Sequence, residues 1–386
     1  MRRAQHLRIR RVRNMCIVFL FIIMIMVVIA GGLFTKFKMP THEVTKTSKH
    51  INDQHALNQV NQDIFSKKDD LAVKIDQQLK SANYIGTALI VHHDRIILQK
   101  GYGYADSTHN RLNDAKSMYQ MASLQKSFTA TMIMQQVEAG KLALDTLLSQ
   151  YYPNIPNANR ITIRQLLTMT SGLKQITATK MFADEADNIS FDASHTAFLG
   201  TQAWSYQPIN YRLLAGILMQ ITHKTYGQLF NETFNQKLGL NVLDYAHFIT
   251  NSRRTIGYRE QNYSKYWSND VTAYSLETGT GNMAITAGSL YRYYRLLIDH
   301  KIIMNQSNAE AMWQPAKGTK YASGLYHYPT YMRGHGIIRG FEPTVLLSKD
   351  GKEAVILLSN QHEKHQSWQK LANQLFTQTS AIQVTK

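Results

Sequence analysis

The chain has 386 residues, 44% of them hydrophobic, which is enough for one large domain with a sizeable core or for two ordinary domains. Its formal net charge is +17, and residues 1–38 carry eight Lys or Arg and no Asp or Glu, so 35 basic and 26 acidic residues remain elsewhere. This excess favours an anionic partner or environment, although a well-solvated basic surface would give the same balance. Nucleic acid is disfavoured as a partner, because no basic run with interleaved aromatic residues occurs beyond the N-terminus.

A membrane anchor is predicted near the N-terminus. Residues 15–34 form an uncharged apolar stretch that would be about 30 Å long as a helix, and the basic segment 1–14 before it would stay in the cytoplasm. A cleaved signal peptide is the alternative, with a weak small-residue site at 28–31. The single cysteine, Cys16, lies at the start of the stretch, so the remainder can form no internal disulfide and no thiolate metal site. We expect a single-pass protein whose bulk lies outside the cell.

The elements after the anchor predict one α+β domain. Residues 35–68 are polar and indicate a stalk, and the domain is expected over 69–380. It begins with a helix from residue 70, two strands at 85–92 and 96–105, and an apolar helix at 123–140. Residues 145–300 are mostly helical in pattern, strands return between 330 and 360, and a final helix covers 365–378. Strands at both ends with helices between them predict a mixed sheet built from the two termini and an inserted all-α region.

The segment MASLQKSFTA places Ser123 three residues before Lys126 at the start of an apolar helix. Residues three apart share a helix face, so the lysine can reach the serine hydroxyl. A serine becomes nucleophilic when a neighbouring base takes its proton, and a lysine in apolar surroundings can be that base. The helix N-terminus adds N–H groups for a developing oxyanion. An ordinary helix-start serine beside a solvated lysine is the alternative, because this spacing is common by chance.

Further motifs follow in a fixed order along the chain: EAGKLALD, ITIRQLLTMTSGL, WSYQPIN and RGHGIIRGF. With Ser123 and Lys126, this order resembles the serine β-lactamase-related family, which groups class C β-lactamases with D-alanyl-D-alanine carboxypeptidases and D-amino-acid esterases. The similarity runs over about 85–360. It implies a β-lactamase/transpeptidase-like fold, in which an antiparallel sheet from the N- and C-terminal parts is flanked by helices. It also implies a serine hydrolase that needs no metal or other cofactor.

The family carries Y-x-N where this chain has WSYQPIN. The resemblance implies that Tyr206 acts with Lys126 on the proton of the nucleophile. Pro208 stands where the family has an asparagine that binds the substrate amide. Asn210 is not expected to replace it, because two helical residues turn the side chain by about 200°. Pro208 itself fits as the first residue of the following helix.

The stretch His335-Gly336-Ile337 resembles the H-x-G form of the family's triplet on a strand that lines the site. The resemblance implies that His335 polarises the proton network or meets a substrate carboxylate, and a structural strand histidine is the alternative. Ile337 stands where a glycine normally lets substrate lie flat against the strand. The N–H groups of Ser123 and Ile338 match the two oxyanion donors, with Gly336 lying beside the substrate.

These observations predict a membrane-anchored extracellular serine hydrolase that acts through a Ser123 acyl-enzyme on D-alanyl cell-wall substrates. The substrates would be D-alanyl esters of teichoic acid or D-Ala-D-Ala peptides, so an anionic wall polymer or peptidoglycan is the expected partner. Loss of the amide-binding asparagine favours esters. Two alternatives stay open: a catalytically silent wall-binding or sensor protein on the same fold, and a genuine β-lactamase or carboxypeptidase.

Overall fold

A computed structural model describes residues 60–178, 182, 184–268, 274–362 and 367–384 of the chain. The predicted cytoplasmic segment and anchor, and most of the predicted stalk, lie outside these residues. Among the helices that are described, none is both long and apolar enough to cross a membrane. The anchor at 15–34 therefore stays a prediction.

Short strands and helices alternate along the described chain. The strands are β1 (Ile64–Phe65), β2 (Gly86–His92), β3 (Arg95–Tyr102), β4 (Tyr104–Asp106), β5 (Arg111–Leu112), β6 (Tyr119–Gln120), β7 (Leu173–Gln175), β8 (Thr196–Phe198), β9 (Leu243–Asp244), β10 (Met283–Ile285), β11 (Tyr321–Ala322), β12 (Leu325–His327), β13 (Tyr331–His335), β14 (Glu342–Ser348) and β15 (Ala354–Ser359). The helices are α1 (Asp70–Ser81), α2 (Gln125–Glu138), α3 (Ile163–Leu167), α4 (Glu185–Ser194), α5 (Ile209–Thr222), α6 (Tyr226–Phe230), α7 (Tyr245–Thr250), α8 (Ala287–Ile298), α9 (Gln306–Met312) and α10 (Gln369–Ser380).

Eight strands form the main sheet in the order β1-β3-β2-β15-β14-β13-β12-β11. Every neighbouring pair in it is antiparallel. The antiparallel sheet that the family resemblance implies is therefore present, and the mixed sheet expected from the pattern alone is wrong. Within β2–β3 and β12 to β15, the physical reason is that short connections join the strands, and such connections allow only antiparallel neighbours.

Helices cover both faces of this sheet. On one face, Leu79 of α1 and Phe376 of α10 pack against Ile90 and Val355 of the central strands. On the other face, a larger apolar core includes Ile356 of β15 together with residues of α2, α5 and α8. The helices between β6 and β11 belong to this second core, as expected for the inserted, mostly helical region. The sheet thus separates two faces, and only one of them adjoins the N-terminus of α2.

The domain begins earlier than the sequence pattern predicts. Strand β1 pairs with β3 through Ile64↔Gln99 and Phe65↔Leu98, so it forms one edge of the main sheet. The side-chain amide of Gln99 also donates to Val60 O at 2.7 Å. The end of the predicted stalk at residue 68 is therefore wrong, because 60–68 are part of the domain. Two apolar residues in a polar stretch are too few to give a strand periodicity.

Candidate active site

Ser123 lies in a 3-10 turn, Ala122–Leu124, that leads directly into α2. Ala122 has a φ of +46°, a left-handed conformation that costs a residue with a side chain of the order of 1–3 kcal/mol. The segment is held by the preceding residue, since Met121 N–H donates to Met283 O of β10 at 2.8 Å. Strain of this kind persists only where the surrounding structure enforces it. The turn places the serine at the start of α2.

Lys126 lies one turn further along α2 and is buried. Its Nζ donates to Ser123 Oγ at 3.0 Å and to Thr280 O at 3.2 Å. The i,i+3 spacing places both side chains on one helix face, as the sequence predicts. The lysine is therefore in hydrogen-bond reach of the proton that a nucleophilic serine must lose.

Tyr206 approaches the same hydroxyl from the loop before α5. Its hydroxyl donates to Ser123 Oγ at 2.9 Å, and its ring packs edge-on against Tyr321 with 5.8 Å between ring centroids. Ser205 N–H donates to Met169 O at 3.0 Å, which fixes the loop immediately before the tyrosine. Lys126 Nζ lies 5.4 Å from the centroid of the Tyr206 ring. Residues from two distant parts of the sequence thus meet at one oxygen, and we call them the Ser123–Lys126–Tyr206 cluster.

Pro208 leaves the cluster without the family's amide side chain. It is exposed, has helical backbone angles and directly precedes α5. Asn210 is buried in that helix, and its Oδ1 accepts from Ser171 Oγ at 2.6 Å. The prediction that Asn210 turns away fits these contacts, whereas the helix begins at Ile209, one residue after the predicted start at Pro208. Asn210 does not take the missing role.

His335 lies on the sheet face away from Ser123. A Cβ built on Gly336 would be 2.6 Å from Ser123 N, and one on Gly334 would be 2.6 Å from a methyl group of Leu124, so the two glycines face the nucleophile. Side chains alternate along a strand, which puts His335 on the opposite face. There its Nε2 is 3.0 Å from Glu342 Oε1. This position does not fit the predicted role in the proton network of Ser123 or a contact with a substrate carboxylate beside it, and the strand-histidine alternative fits these contacts.

The N–H of Ile338 also points away from the nucleophile. Gly336 N–H donates to Pro343 O and Ile338 N–H donates to Phe341 O, both at 3.0 Å and both towards β14. Because successive N–H groups of a strand alternate in direction, the N–H of Ile337 points to the open edge. The oxyanion donor predicted at Ile338 is therefore wrong by one residue. Gly336 does lie against Ser123, and the close approach of the two backbones explains why it carries no side chain.

A buried carboxylate that the sequence analysis missed anchors the far side of β13. Glu342 is fully buried, and it accepts hydrogen bonds from Ser367 Oγ at 2.5 Å and from Trp368 N–H at 3.1 Å, besides its contacts with His335 and with His362 Nδ1 at 2.9 Å. Burial alone would raise the pKa of Glu342, but the hydrogen bonds from His335, His362 and Ser367 outweigh it and lower the pKa to about 2. Glu342 could have been noticed in the sequence, because it is a charged residue at the start of the apolar strand segment EPTVLLS.

A cleft of about 540 Å³ is linked to the cluster through Glu277, although none of the three cluster residues lines it. It lies between the segment 175–178 and Ile338–Arg339, and Arg212 and Glu277 also line it. Glu277 is linked to the cluster, because its Oε2 accepts from Thr280 Oγ1 at 2.5 Å and Thr280 O holds Lys126. The cleft thus offers a carboxylate and guanidinium groups, and its carboxylate is connected to Lys126 through Thr280.

The matching protein-family model is Beta-lactamase, over residues 71–377. The chain is 31% identical, over 74% of its length and 73% of the relative's, to PbpX of Bacillus subtilis (strain 168), which is provisionally named a penicillin-binding protein. It is 25% identical to the teichoic acid D-alanine hydrolase of Staphylococcus aureus over 92% of this chain and 91% of that protein.

Solved structures show the same fold. The crystal structure of FmtA from Staphylococcus aureus matches with a TM-score of 0.72 at 21% identity, covering 85% of this chain and 96% of that one. The D-amino acid amidase of Ochrobactrum anthropi SV3 matches with a TM-score of 0.66 at 22% identity, covering 81% and 98%. With the matching family model spanning most of the chain and the Ser123–Lys126–Tyr206 cluster in place, this chain belongs to the beta-lactamase family of serine hydrolases.

Proposed function

We propose that the protein hydrolyses D-alanyl esters on an anionic cell-wall polymer of the teichoic acid type, through an acyl-enzyme on Ser123. The observation that carries the proposal is the pairing of an intact cluster with Pro208. Ser123 Oγ is hydrogen-bonded by both Lys126 Nζ and Tyr206 Oη, while residue 208 has no group to bind a substrate amide. The groups that activate the serine are therefore present, whereas residue 208 lacks the contact that an amide substrate would use.

In the proposed mechanism, Lys126 accepts the Ser123 proton as Oγ attacks the ester carbonyl. The Oγ–C bond forms and the ester C–O bond breaks, and Tyr206 gives its own hydroxyl proton to the leaving alcohol oxygen and then regains a proton from Lys126. Water then attacks the acyl carbon and gives a proton to Lys126, the acyl C–Oγ bond breaks, and that proton returns to Ser123 Oγ as D-alanine leaves. We assign the oxyanion contacts to the N–H groups of Ser123 and Ile337, because the latter points to the open strand edge next to the nucleophile.

An ester suits this centre better than an amide does. The alcohol leaving from an ester needs less protonation than an amine, and an ester has no N–H to satisfy. In the cleft linked to the cluster, the carboxylate of Glu277 is suited to the ammonium of a D-alanyl group, and Arg339 to a polymer phosphate. The similarity to the teichoic acid D-alanine hydrolase of Staphylococcus aureus supports this substrate class.

The proposal includes a location. The basic segment 1–14 and the apolar stretch 15–34 would hold the chain in the membrane with its domain outside, beside the anionic wall polymer. Cysteine accessibility provides the check: the single Cys16 is replaced by Ser, and a new cysteine is placed at Lys141, an exposed residue of the domain. A membrane-impermeant thiol reagent added to intact cells should label the new cysteine. Labelling that requires cell lysis would contradict the location.

The decisive experiment uses the full-length protein in detergent with D-alanylated lipoteichoic acid, and it measures free D-alanine. The wild type should release D-alanine, and Ser123→Ala should lower the rate by at least about 10⁴-fold. Equal release by both proteins would overturn the proposal. Intact-protein mass after quenching should show an alanyl adduct on the wild type only.

A carboxypeptidase activity is the second candidate, because the hydrogen-bonded serine, lysine and tyrosine would serve peptide substrates as well. A D-Ala-D-Ala peptide offered to the same preparation separates the two. Turnover of the peptide faster than turnover of the ester polymer would favour the second candidate. Failure of both substrates and of penicillin to acylate Ser123 would favour a silent binding protein.

A further inference from the structure

Two histidines and a glutamate meet at the end of the main sheet that lies away from Ser123. The strand register places Ala88 level with His335 across β15 and β14, so His92 and His93 lie at the opposite end of β2 from the active site. The hairpin turn there contains two left-handed residues, His93 with φ +51° and Asp94 with φ +63°. In an extended strand, neighbouring side chains point to opposite faces. The left-handed turn instead brings both imidazoles together, with 3.8 Å between ring centroids.

Both imidazoles point the same nitrogen at one carboxylate. His92 Nδ1 is 3.1 Å from Glu353 Oε2, and His93 Nδ1 is 3.1 Å from Glu353 Oε1. One ligand atom from each residue lies within 4.8 Å of the others. Nitrogen and oxygen ligands placed tetrahedrally at Zn²⁺ distances are roughly 3.3 Å apart. The two nitrogen-to-oxygen distances are therefore already close to those expected between ligands of one zinc ion.

The carboxylate is held in place before any ligand binds. Glu353 is nearly buried, His93 N–H donates to its Oε1 at 3.0 Å, and its own N–H donates to Ser348 Oγ at 3.0 Å. Among the described residues, no Lys or Arg forms an ion pair with it. A buried carboxylate with imidazole partners alone has no permanent positive charge to balance it. A divalent cation between the three side chains would supply that charge.

We propose that His92, His93 and Glu353 form a Zn²⁺ site that fastens the β2–β3 hairpin to the start of β15. Two imidazoles and one carboxylate are ligands that suit zinc, whereas Ca²⁺ and Mg²⁺ prefer shells made of oxygen alone. The His93 side chain is 81% exposed, so water can reach the fourth position. Zinc binds the neutral imidazole through Nδ1 while the ring keeps its proton on Nε2, so it competes with formation of the imidazolium ion and binds more tightly as the pH rises. The site is structural, since it lies at the other end of the sheet from Ser123.

The test is a zinc titration of the full-length protein in detergent, carrying a purification tag without histidine and stripped with chelator. Competition with a chromophoric chelator should show one tight Zn²⁺ per chain. His93→Ala removes an exposed ligand without opening the core, and it should weaken binding at least about 10-fold. Glu353→Gln should do the same. The melting temperature should rise with Zn²⁺ in the wild type and not in His93→Ala.

The matched control is His109→Ala. His109 Nδ1 is 2.8 Å from Asp106 Oδ2 and its side chain is 79% exposed, so it resembles His93, but within the described part of the chain it belongs to no group of three possible metal ligands. Zinc binding should be unchanged in this variant. Absence of stoichiometric binding in the wild type, or equal binding by the wild type and His93→Ala, would overturn the proposal. Because zinc binding is read without substrate, failure of the proposed hydrolase activity would leave this result unaffected.

Discussion

The active site has two sides: the helix wall, formed by Ser123, Lys126 and Tyr206, and the strand wall, formed by residues 334–338. The sequence predicts the geometry of the first correctly and the register of the second incorrectly. On the helix wall, Ser123 and Lys126 meet as their spacing predicts, and Tyr206 joins them. On the strand wall, the motif is displaced by one residue, which carries His335 to the opposite face of the sheet. Residues three or four apart on a helix share a face, whereas a one-residue slip on a strand reverses every side chain. A short strand motif therefore needs an independent check of its register.

The two walls also contribute different chemical groups to the proposed reaction. The helix wall supplies the nucleophile and its proton acceptors through side chains. The strand wall contributes backbone groups. Gly336 packs against Ser123, and the N–H of Ile337 lies on the open edge of the strand. Side-chain substitutions should therefore be severe on the helix wall. On the strand wall they should matter only where they move the backbone.

The largest effect is expected at Lys126. Lys126→Met keeps the length of the buried side chain but removes the group that takes the Ser123 proton, so kcat for D-alanine release should fall about 10³- to 10⁴-fold. The control is Lys141→Met, which alters an exposed lysine just beyond α2 and should leave kcat unchanged. A loss of less than 10-fold in Lys126→Met would show that another group acts as the base.

On the strand wall, Gly336→Ala should be the damaging change. Its Cβ would lie 2.6 Å from Ser123 N and 2.8 Å from Ala122 Cβ, so the backbone around the nucleophile must move. Disturbing one oxyanion contact should lower kcat about 10²- to 10³-fold. The neighbouring Ile337→Ala truncates a half-exposed side chain and should cost less than about 3-fold, because the N–H group remains. Equal losses in both variants would refute the backbone role of this wall.

Acid should weaken the far side of the strand wall through Glu342. The pKa of Glu342 is lowered from its ordinary 4.5 to about 2, so folding favours its charged form. Its contribution to stability is fully present above about pH 4.5 and is lost as the pH falls from there through 2. The shift corresponds to about 3 kcal/mol of unfolding free energy. Denaturant unfolding of the wild type and Glu342→Gln between pH 2 and 7 should show the difference shrinking towards acid. A constant difference would contradict this assignment.

The sequence predicted most of the fold because its patterns are local. Helix α1 and the β2–β3 hairpin have clear periodicity, and they lie where expected. Strand β1 could not be predicted, because two apolar residues are too few to show a strand periodicity. They form a strand only because they pair with the edge of β3. The contacts of Glu342 come from residues 335, 362, 367 and 368, so they depend on how separate segments pack. The cleft at Glu277 and Arg339 depends on packing in the same way.

A smaller effect is expected at His335, where a structural role against Glu342 and a role in the proton network of Ser123 predict different results. If His335 contacts only Glu342, His335→Ala should lower kcat less than about 10-fold, although losing a bond to a buried charge should cost about 1–3 kcal/mol of stability. Tyr206→Phe is the reference on the helix wall and should lower kcat about 10²-fold or more. Both variants are compared by kcat at a temperature where each is folded, verified by circular dichroism. A loss in His335→Ala as large as that in Tyr206→Phe would restore the histidine to the proton network.

The smallest effect is expected at Pro208. Pro208→Asn restores the family's amide side chain at an exposed position that directly precedes α5, where asparagine is well tolerated. One added hydrogen bond to a substrate amide is worth about 1 kcal/mol, so penicillin acylation of Ser123 should speed up by about 5-fold. Ester hydrolysis should stay within about 2-fold, because an ester has no N–H for the new side chain to bind. Pro208→Ala, which removes the ring without adding an amide, is the control and should not gain acylation. A parallel rise on penicillin and ester would show that the proline limits the motion of the Tyr206 loop and does not act through substrate recognition.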